Sequence, residues 1–538
     1  MKQTSGSSHL GRASLIRIAT AAVVLALSWG VAAVSPKERP NILLIMADDM
    51  GWSDIGCYGG EIDTPNIDRL AEQGMRFTQF YNTAKCFPTR AALLTGLYSH
   101  QTGLGNKLQA FNKNCVTLGE VFSAEGYRTL MTGKWHAEET PYRRGFSRYY
   151  GLTDGCCNYF NPGIEPLPGQ GKPGRKYDRP RRWAIDDQEY LPYTPDTPNF
   201  YTTDAFSDYA VNYLEAYRGE GKPFLLYVAY TAPHYPLHAW PQDIAKYRGK
   251  YMIGWDKLRE RRYRRQLEMG LFDATVSLSP RDENVPLWAS LSEEKRDYWD
   301  LKMSIYAAMI DRMDRGIGRI LDKIQALGEL ENTLVMFLAD NGACPSGFDK
   351  IPNTLPGTVE SYSGVGEGWA NASNTPFRKY KVWDHEGGIC TPFIAYWPKV
   401  ITESGAITTQ VGHIMDVMAT CVDIAGATYP QTYRGSEIIP MEGKSLLPIF
   451  KGKTRAGHET VGWQYSHSSA LRQGQWKLVR NTKTGPGRWE LYNLAIDRTE
   501  QNNLAQQYPE KVRTLSAAFD AWVDRCGVEI LQKKSENL

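Results

Sequence analysis

An excess of charge of either sign is missing from this chain of 538 residues, in which 62 lysines and arginines face 59 aspartates and glutamates. That balance excludes a nucleic-acid-binding surface spread over the molecule, so any anion recognition is local. Cysteine is sparse, with nine residues, and their spacing fits no zinc site. Apart from Cys86, the cysteines at 57, 115, 156, 157, 344, 390, 421 and 526 form an even set compatible with some disulfides, whose pairing the sequence does not give. Internal repeats and low-complexity tracts are absent, which excludes a solenoid. The charge-free stretch from Ile18 to Val34 falls short of the roughly 20 residues a helical membrane span uses, contains Gly30 and gives way to polar sequence.

That stretch follows Lys2, Arg12 and Arg17 and ends in small residues around Val31-Ala32-Ala33, the pattern of a cleavable export signal over residues 1–33. An exported protein with no permanent membrane anchor is expected. Cleavage would remove three basic residues and no acidic one, leaving 59 of each and a net charge near zero.

The length exceeds what one hydrophobic core usually serves, so a large domain over 40–455 and a smaller one over 456–538 are expected. Four apolar, β-rich runs each end in polar residues suited to chemistry. Ile42 to Met46 leads to Asp48-Asp49, Thr129 to Met131 to Lys134 and His136, Phe224 to Val228 to Pro233-His234, and Thr333 to Leu338 to Asp340-Asn341. Such near-continuous runs suit a sheet buried on both faces, and ligands of open α/β sheets bind beyond the carboxyl ends of the strands. The four ends are candidates for one crevice.

Helical periodicity intervenes at Ile67–Gln73, Leu118–Glu125, Asp204–Tyr217 and Glu293–Leu327, as an α/β fold requires. The stretch 241–292, with Arg259-Glu260-Arg261-Arg262-Tyr263-Arg264-Arg265, reads as a charged insertion with a solvated helix face. The Gly-, Ser-, Asn- and Pro-rich segment 345–376 reads as a long loop near the site. After residue 456, alternation around Ala470-Leu471-Arg472, Trp476 to Val479 and Trp489 to Leu494 predicts short antiparallel strands, closed by a helix from Pro509 to Cys526.

Paired acids at a strand end commonly serve a turn or a cap. Two strand ends carrying Asp48-Asp49 and Asp340-Asn341 offer three carboxylates and an amide oxygen, a hard ligand set suited to Ca²⁺ or Mg²⁺ and not to zinc or copper. Between them in sequence, Cys86-Phe87-Pro88-Thr89-Arg90 sets a thiol four residues from a guanidinium and runs into Ala91-Ala92-Leu93-Leu94-Thr95-Gly96.

This pentapeptide resembles the signature of type I, formylglycine-dependent sulfatases. The resemblance extends in family order through Pro40 to Asp49, Asp63 to Leu70, Thr132 to His136, Ala232 to Leu237, Ala339 to Gly342, and Tyr380-Lys381 followed by Gly387-Gly388. It is closest to bacterial arylsulfatases of the alkaline-phosphatase-like superfamily. It implies an α/β/α sandwich with a large mixed, mainly parallel sheet, and a smaller carboxy-terminal domain with a short antiparallel sheet and a helix. It implies hydrolysis of sulfate esters, of aryl or carbohydrate alcohols, in the periplasm or outside a bacterial cell.

The resemblance also implies roles. Cys86 is converted to formylglycine (3-oxoalanine) by a formylglycine-generating enzyme. One hydroxyl of the aldehyde hydrate attacks sulfur, and the other lets the sulfoenzyme intermediate collapse, which an encoded serine cannot do. Asp48, Asp49, Asp340, Asn341 and the modified Cys86 hold one Ca²⁺. Arg90 holds the modified residue through a planar donor fork that lysine lacks. Lys134 stabilises the developing charge. His136 takes a proton during collapse, and His234 with Lys381 protonates the leaving alcohol. Lys379 is the alternative to Lys381, while His238 and His385 lie beside the motifs as pocket or structural residues. By its Tyr, Trp, Pro and Gly content, and apart from the resemblance, the segment 145–200 reads as a pocket wall or equally as a packed surface loop.

Two other readings compete. A phosphatase or phosphodiesterase of the same superfamily would show a serine or threonine nucleophile and histidine-rich zinc ligands. A sulfated-glycan-binding protein without turnover would lack a required group, and none is missing from the set.

Overall fold

The computed structural model describes residues 39–176, 179–483 and 487–530. The expected export signal lies outside the described residues. Among the described residues no helix is long and apolar enough to cross a membrane.

Eleven strands form the main sheet: β1 Asn41–Ala47, β2 Met75–Tyr81, β3 Arg128–Gly133, β4 Arg148–Leu152, β5 Trp183–Ile185, β6 Gln188–Tyr190, β7 Phe224–Ala229, β8 Thr333–Ala339, β9 Cys390–Tyr396, β10 Ala406–Thr408 and β11 Gly412–His413. Their order is β10-β2-β9-β8-β1-β7-β3-β4-β5-β6, with β11 also on β2. The centre, β8-β1-β7-β3-β4, is parallel throughout, while β9 runs antiparallel to both of its neighbours.

Every residue of β1, β7 and β8 is buried. Alternate side chains feed two separate cores: Leu43, Ile45, Leu226, Val228, Val335 and Phe337 on one face, and Ile42, Leu44, Leu225, Tyr227, Leu334 and Met336 on the other. Burying one such side chain contributes about 1.5–3 kcal/mol, so the apolar runs tolerate no exposed face. The helices α1 Pro65–Gln73 and α4 Thr202–Ala216 and the long helix Glu293–Ala326 close the first face. The second is closed by α2 Cys86–Thr95 and α3 Leu118–Ala124. The result is the three-layered α/β/α arrangement.

A four-stranded antiparallel sheet follows, Thr460–Tyr465, Ser468–Gln473, Trp476–Asn481 and Glu490–Asn493, paired in chain order. The helix Pro509–Cys526 covers it, with Leu515, Phe519 and Trp522 against Leu471, Leu478 and Leu491. This sheet docks through buried ion pairs: Lys477 Nζ lies 2.8 Å from both Glu386 and Glu500, and Arg498 lies 2.6 Å from Glu386.

Three expectations change. The basic run is a helix, Gly254–Glu268, but its face is not simply solvated. Arg259 and Arg262 are buried, and Arg262 pairs with Asp54 at 2.7 Å and Glu61 at 2.8 Å, so desolvated acids in the neighbouring loop explain part of the charge run. All nine cysteines are unpaired and buried. Segment 145–200 extends the sheet and packs aromatics on each other, Trp183 stacking on Tyr193 at 4.9 Å, while Gly155 lies against His136 and the Tyr159 hydroxyl donates to the His234 carbonyl at 2.8 Å.

Candidate active site

Parallel register sets the site. Ala47 pairs with Ala339, Met46 with Ala229, and Gly133 with Ala229, so the residues that follow β1, β8, β7 and β3 emerge side by side. Asp49 sits at φ 64, a left-handed conformation that aspartate tolerates better than most residues. There its N–H donates to Asp340 Oδ1 at 3.1 Å, tying two strand ends together.

Cys86 opens α2 and is 1% exposed. The helix directs its unpaired amino-terminal N–H groups and partial positive charge to this end. One turn later Arg90 sits below the thiol. Its Nη2 and Nε donate to Asp340 Oδ2 at 2.8 and 3.2 Å, and its Nη1 donates to the Lys134 carbonyl at 3.0 Å. Thr89 is bonded to the Thr83 hydroxyl at 2.8 Å, which fixes the entry to the helix.

Cations alternate with the acids. Lys134 Nζ donates to Asp48 Oδ2 at 2.5 Å, Lys381 Nζ donates to Asp49 Oδ1, and Asn341 Nδ2 donates to the same Asp49 oxygen at 2.7 Å. His234 directs Nε2 to Asp49 Oδ2 at 3.4 Å, while its Nδ1 lies 2.5 Å from the Tyr235 carbonyl. His136, at φ 67, stands edge-on to Phe87 with ring centres 5.7 Å apart.

At the site, three buried oxygens have no hydrogen-bond partner among the described residues: Asp48 Oδ1, Asp49 Oδ2 and Asn341 Oδ1. Buried polar atoms are normally satisfied, so orphans on three neighbouring ligands need an external partner. Ligand atoms of Asp48, Cys86 and Asp340 lie within 4.8 Å of one another, as do those of Asp48, Asp49 and His234. An oxygen-dominated cluster of this size fits a hard divalent cation.

The surroundings tune acidity. Burial raises the Asp49 carboxyl, but His234 when protonated, the Lys381 charge, and hydrogen bonds from Lys381 and Asn341 outweigh it and hold the group below the ordinary carboxylate range. Asp340 is raised, by burial first and by the Asp48 charge second. Both histidines fall well below the ordinary imidazole value: His136 through burial and then Lys134 and Arg90, His234 through burial and the two lysines against the pull of Asp49. Both rings are therefore neutral near pH 7, able to accept a proton.

A family model described as sulfatase matches residues 40–427. The chain belongs to the sulfatase family. A second model, for the carboxy-terminal part of N-sulphoglucosamine sulphohydrolase, matches residues 377–521. An uncharacterized sulfatase of Schizosaccharomyces pombe is 33% identical over 89% of this chain and 92% of its own. An arylsulfatase of Klebsiella aerogenes is 34% identical over 81% and 98%. Among solved structures, Ps i-CgsB in complex with k-i-k-neocarrahexaose aligns with a TM-score of 0.64 at 25% identity, covering 93% of this chain and 96% of that one. The sulfatase described here is accordingly a sulfuric ester hydrolase with the alkaline-phosphatase-like fold.

The ten residues given site roles from the sequence, Asp48, Asp49, Cys86, Arg90, Lys134, His136, His234, Asp340, Asn341 and Lys381, gather beyond the carboxyl ends of the central strands. The structure separates Lys381 from its alternative, because Lys379 turns away to Asp282 at 2.9 Å. His238 belongs to the core: it is fully buried, with Nε2 3.0 Å from the Ser361 carbonyl and Nδ1 accepting from the Tyr159 N–H. His385 faces Glu490 of the small sheet at 3.3 Å. Sequence reasoning missed two supports of the sulfatase site. Gly155 lies so close to His136 that a Cβ there would stand 2.8 Å from Nε2. The Glu386–Lys477–Glu500 cluster anchors the loop that carries Lys381, and no motif marks it, because its members lie far apart in sequence.

Proposed function

We propose that this sulfatase cleaves esters of aryl or carbohydrate alcohols to alcohol and inorganic sulfate, using formylglycine made from Cys86 by a formylglycine-generating enzyme, with one Ca²⁺ at Asp48, Asp49, Asp340, Asn341 and position 86. The observation that carries this reading is the convergence of Cys86, at a helix amino terminus, with three unpartnered oxygens and three cationic side chains. When present, the modified residue supplies a hydrated nucleophile that can later expel its sulfate, and the cation withdraws charge from the ester.

The remaining steps belong to encoded side chains. Arg90 orients position 86 and offsets the charge of Asp340. Lys134 and Lys381 place positive charge where the sulfate oxygens and the leaving oxygen become more negative in the transition state. His136, neutral and beside Phe87 next to Cys86, is suited to take the proton released as the sulfated residue collapses. His234 lies next to Lys381 through their shared partner Asp49, and suits delivery of a proton to the departing alkoxide. The neutral form that dominates near pH 7 first acquires that proton, which Asp49 stabilises. Export to the periplasm or beyond is the location proposed.

Two measurements test this. Trypsin, cutting after Lys85 and Arg90, releases residues 86–90, whose mass distinguishes aldehyde from thiol. An active preparation yielding only the thiol peptide refutes the mechanism. Comparing 4-nitrophenyl sulfate with 4-nitrophenyl phosphate tests the reaction, and dominant phosphatase activity refutes it.

A further inference from the structure

The turn Tyr465-Ser466-His467-Ser468 of the small sheet reaches the site beside Cys86. Tyr465 ends the strand Thr460–Tyr465 and pairs with Ser468 across a two-residue connection in which Ser466 sits at φ 55. The turn is fixed from outside its own sheet: the Ser466 N–H donates to Asn106 Oδ1 at 2.9 Å, and Asn106 Nδ2 donates to Gln464 Oε1 at 2.7 Å. His467 Nδ1 lies 3.3 Å from the Thr482 hydroxyl on the neighbouring strand pair.

The side chain this turn presents is amphipathic and half used. The Tyr465 ring meets Phe87 edge-on at 5.9 Å, and Phe87 meets His136 in the same manner at 5.7 Å, so three rings form a continuous lip beside position 86. Tyr465 is partly exposed, and its hydroxyl makes no hydrogen bond among the described residues. Its phenolic O–H is a hydrogen-bond donor as well as an acceptor. A rigid aromatic face with a free polar tip is the chemistry used to hold a ring that has an apolar face and a hydroxylated rim.

We propose that Tyr465 is a substrate-positioning residue that selects sulfate esters of pyranose sugars, its ring packing on the sugar face and its hydroxyl donating to a sugar oxygen next to the ester. This deepens, and rests on, the sulfate-ester reading. Phe87 and Tyr465 then act as a pair contributed by the two parts of the chain, and the loss of either hydroxyl or ring affects sugar binding in separable ways.

The test uses the full-length, aldehyde-bearing enzyme, Tyr465→Phe and Tyr465→Ala, with 4-nitrophenyl sulfate and a set of positional isomers of monosulfated galactose and glucose. For the best sugar ester, Tyr465→Phe is expected to lower kcat/KM about tenfold more than for 4-nitrophenyl sulfate, through KM and not kcat, as one lost hydrogen bond predicts. Tyr465→Ala is expected to raise KM for both. Equal effects of Tyr465→Phe on the two substrates, or a loss confined to kcat, overturn the proposal. A parent enzyme that cleaves 4-nitrophenyl sulfate and no sugar ester also overturns it, whereas one that cleaves neither overturns the sulfate-ester reading instead.

Discussion

Arg90 closes its guanidinium on a single oxygen of Asp340, Oδ2, through Nε and Nη2, while the other oxygen of that carboxylate receives the Asp49 N–H. The carboxylate thus ties the helix bearing Cys86 to two strand ends at once. A point charge on a flexible stem cannot reproduce that geometry.

Arg90→Lys is therefore expected to lower kcat about 100-fold or more even with its charge retained. Because Arg90 lies within the pentapeptide of the proposed modification, the rate is normalised to the aldehyde content at position 86 measured by peptide mass. A normalised rate within threefold of the parent contradicts the role of the fork.

Cys86→Ala is expected to abolish turnover while changing the melting temperature by only a few degrees, since it removes one sulfur from a site whose hydrogen bonds run through other residues. Residual activity near the parent level contradicts the placement of the nucleophile.

Chelation tests the orphaned oxygens. Removing a bound cation from Asp48, Asp49 and Asn341 withdraws a ligand that binds the folded state alone, so the melting temperature is expected to fall by about 5 °C or more and to recover with added Ca²⁺. Asn341→Ala should weaken that recovery. A melting temperature indifferent to chelator and to Ca²⁺ speaks against the site.

Asp384, whose N–H donates to Ser468 Oγ at 2.9 Å, supplies a pH prediction read from stability. Both of its oxygens are buried without a partner, and burial, against the opposing charge of Lys477, lifts its carboxyl to about 7. The folded state thus binds a proton more tightly than the unfolded state, whose group titrates near 3.8, and stability falls as pH rises from about 4 to about 7. Asp384→Asn is expected to raise the urea midpoint at pH 7 and to have little effect at pH 4. An equal effect at both values removes ionisation as the cause.

Lys477→Met leaves Glu386 and Glu500 buried without their shared cation. The expected loss is about 3–5 kcal/mol in denaturant unfolding. A neutral result shows that water or Arg498 takes over the role.

The strands and the long helix were legible because their periodicity is strong: Glu293–Leu327 was expected and Glu293–Ala326 is found, and the predicted closing helix agrees at both ends. The convergence of most candidate site residues was legible because Asp48, Asp49, Lys134, His136, His234, Asp340 and Asn341 sit just beyond strands and Cys86 at the start of a helix, whereas Lys381 arrives on a long loop. Partnership was not. Nothing local tells that Arg262 seeks Asp54, more than two hundred residues earlier, or that Lys379 and Lys381, two apart, face different acids. Such choices are made by long-range packing, and the turn carrying Tyr465 reaches Phe87 across 378 positions by the same means.

All ten residues of α2 are buried, the thiol included. With Cys86 1% exposed at the start of a buried helix, a second protein reaches its sulfur only when α2 is undocked. Any chemistry that a second protein performs on that sulfur is therefore tied to whether this helix is docked or open.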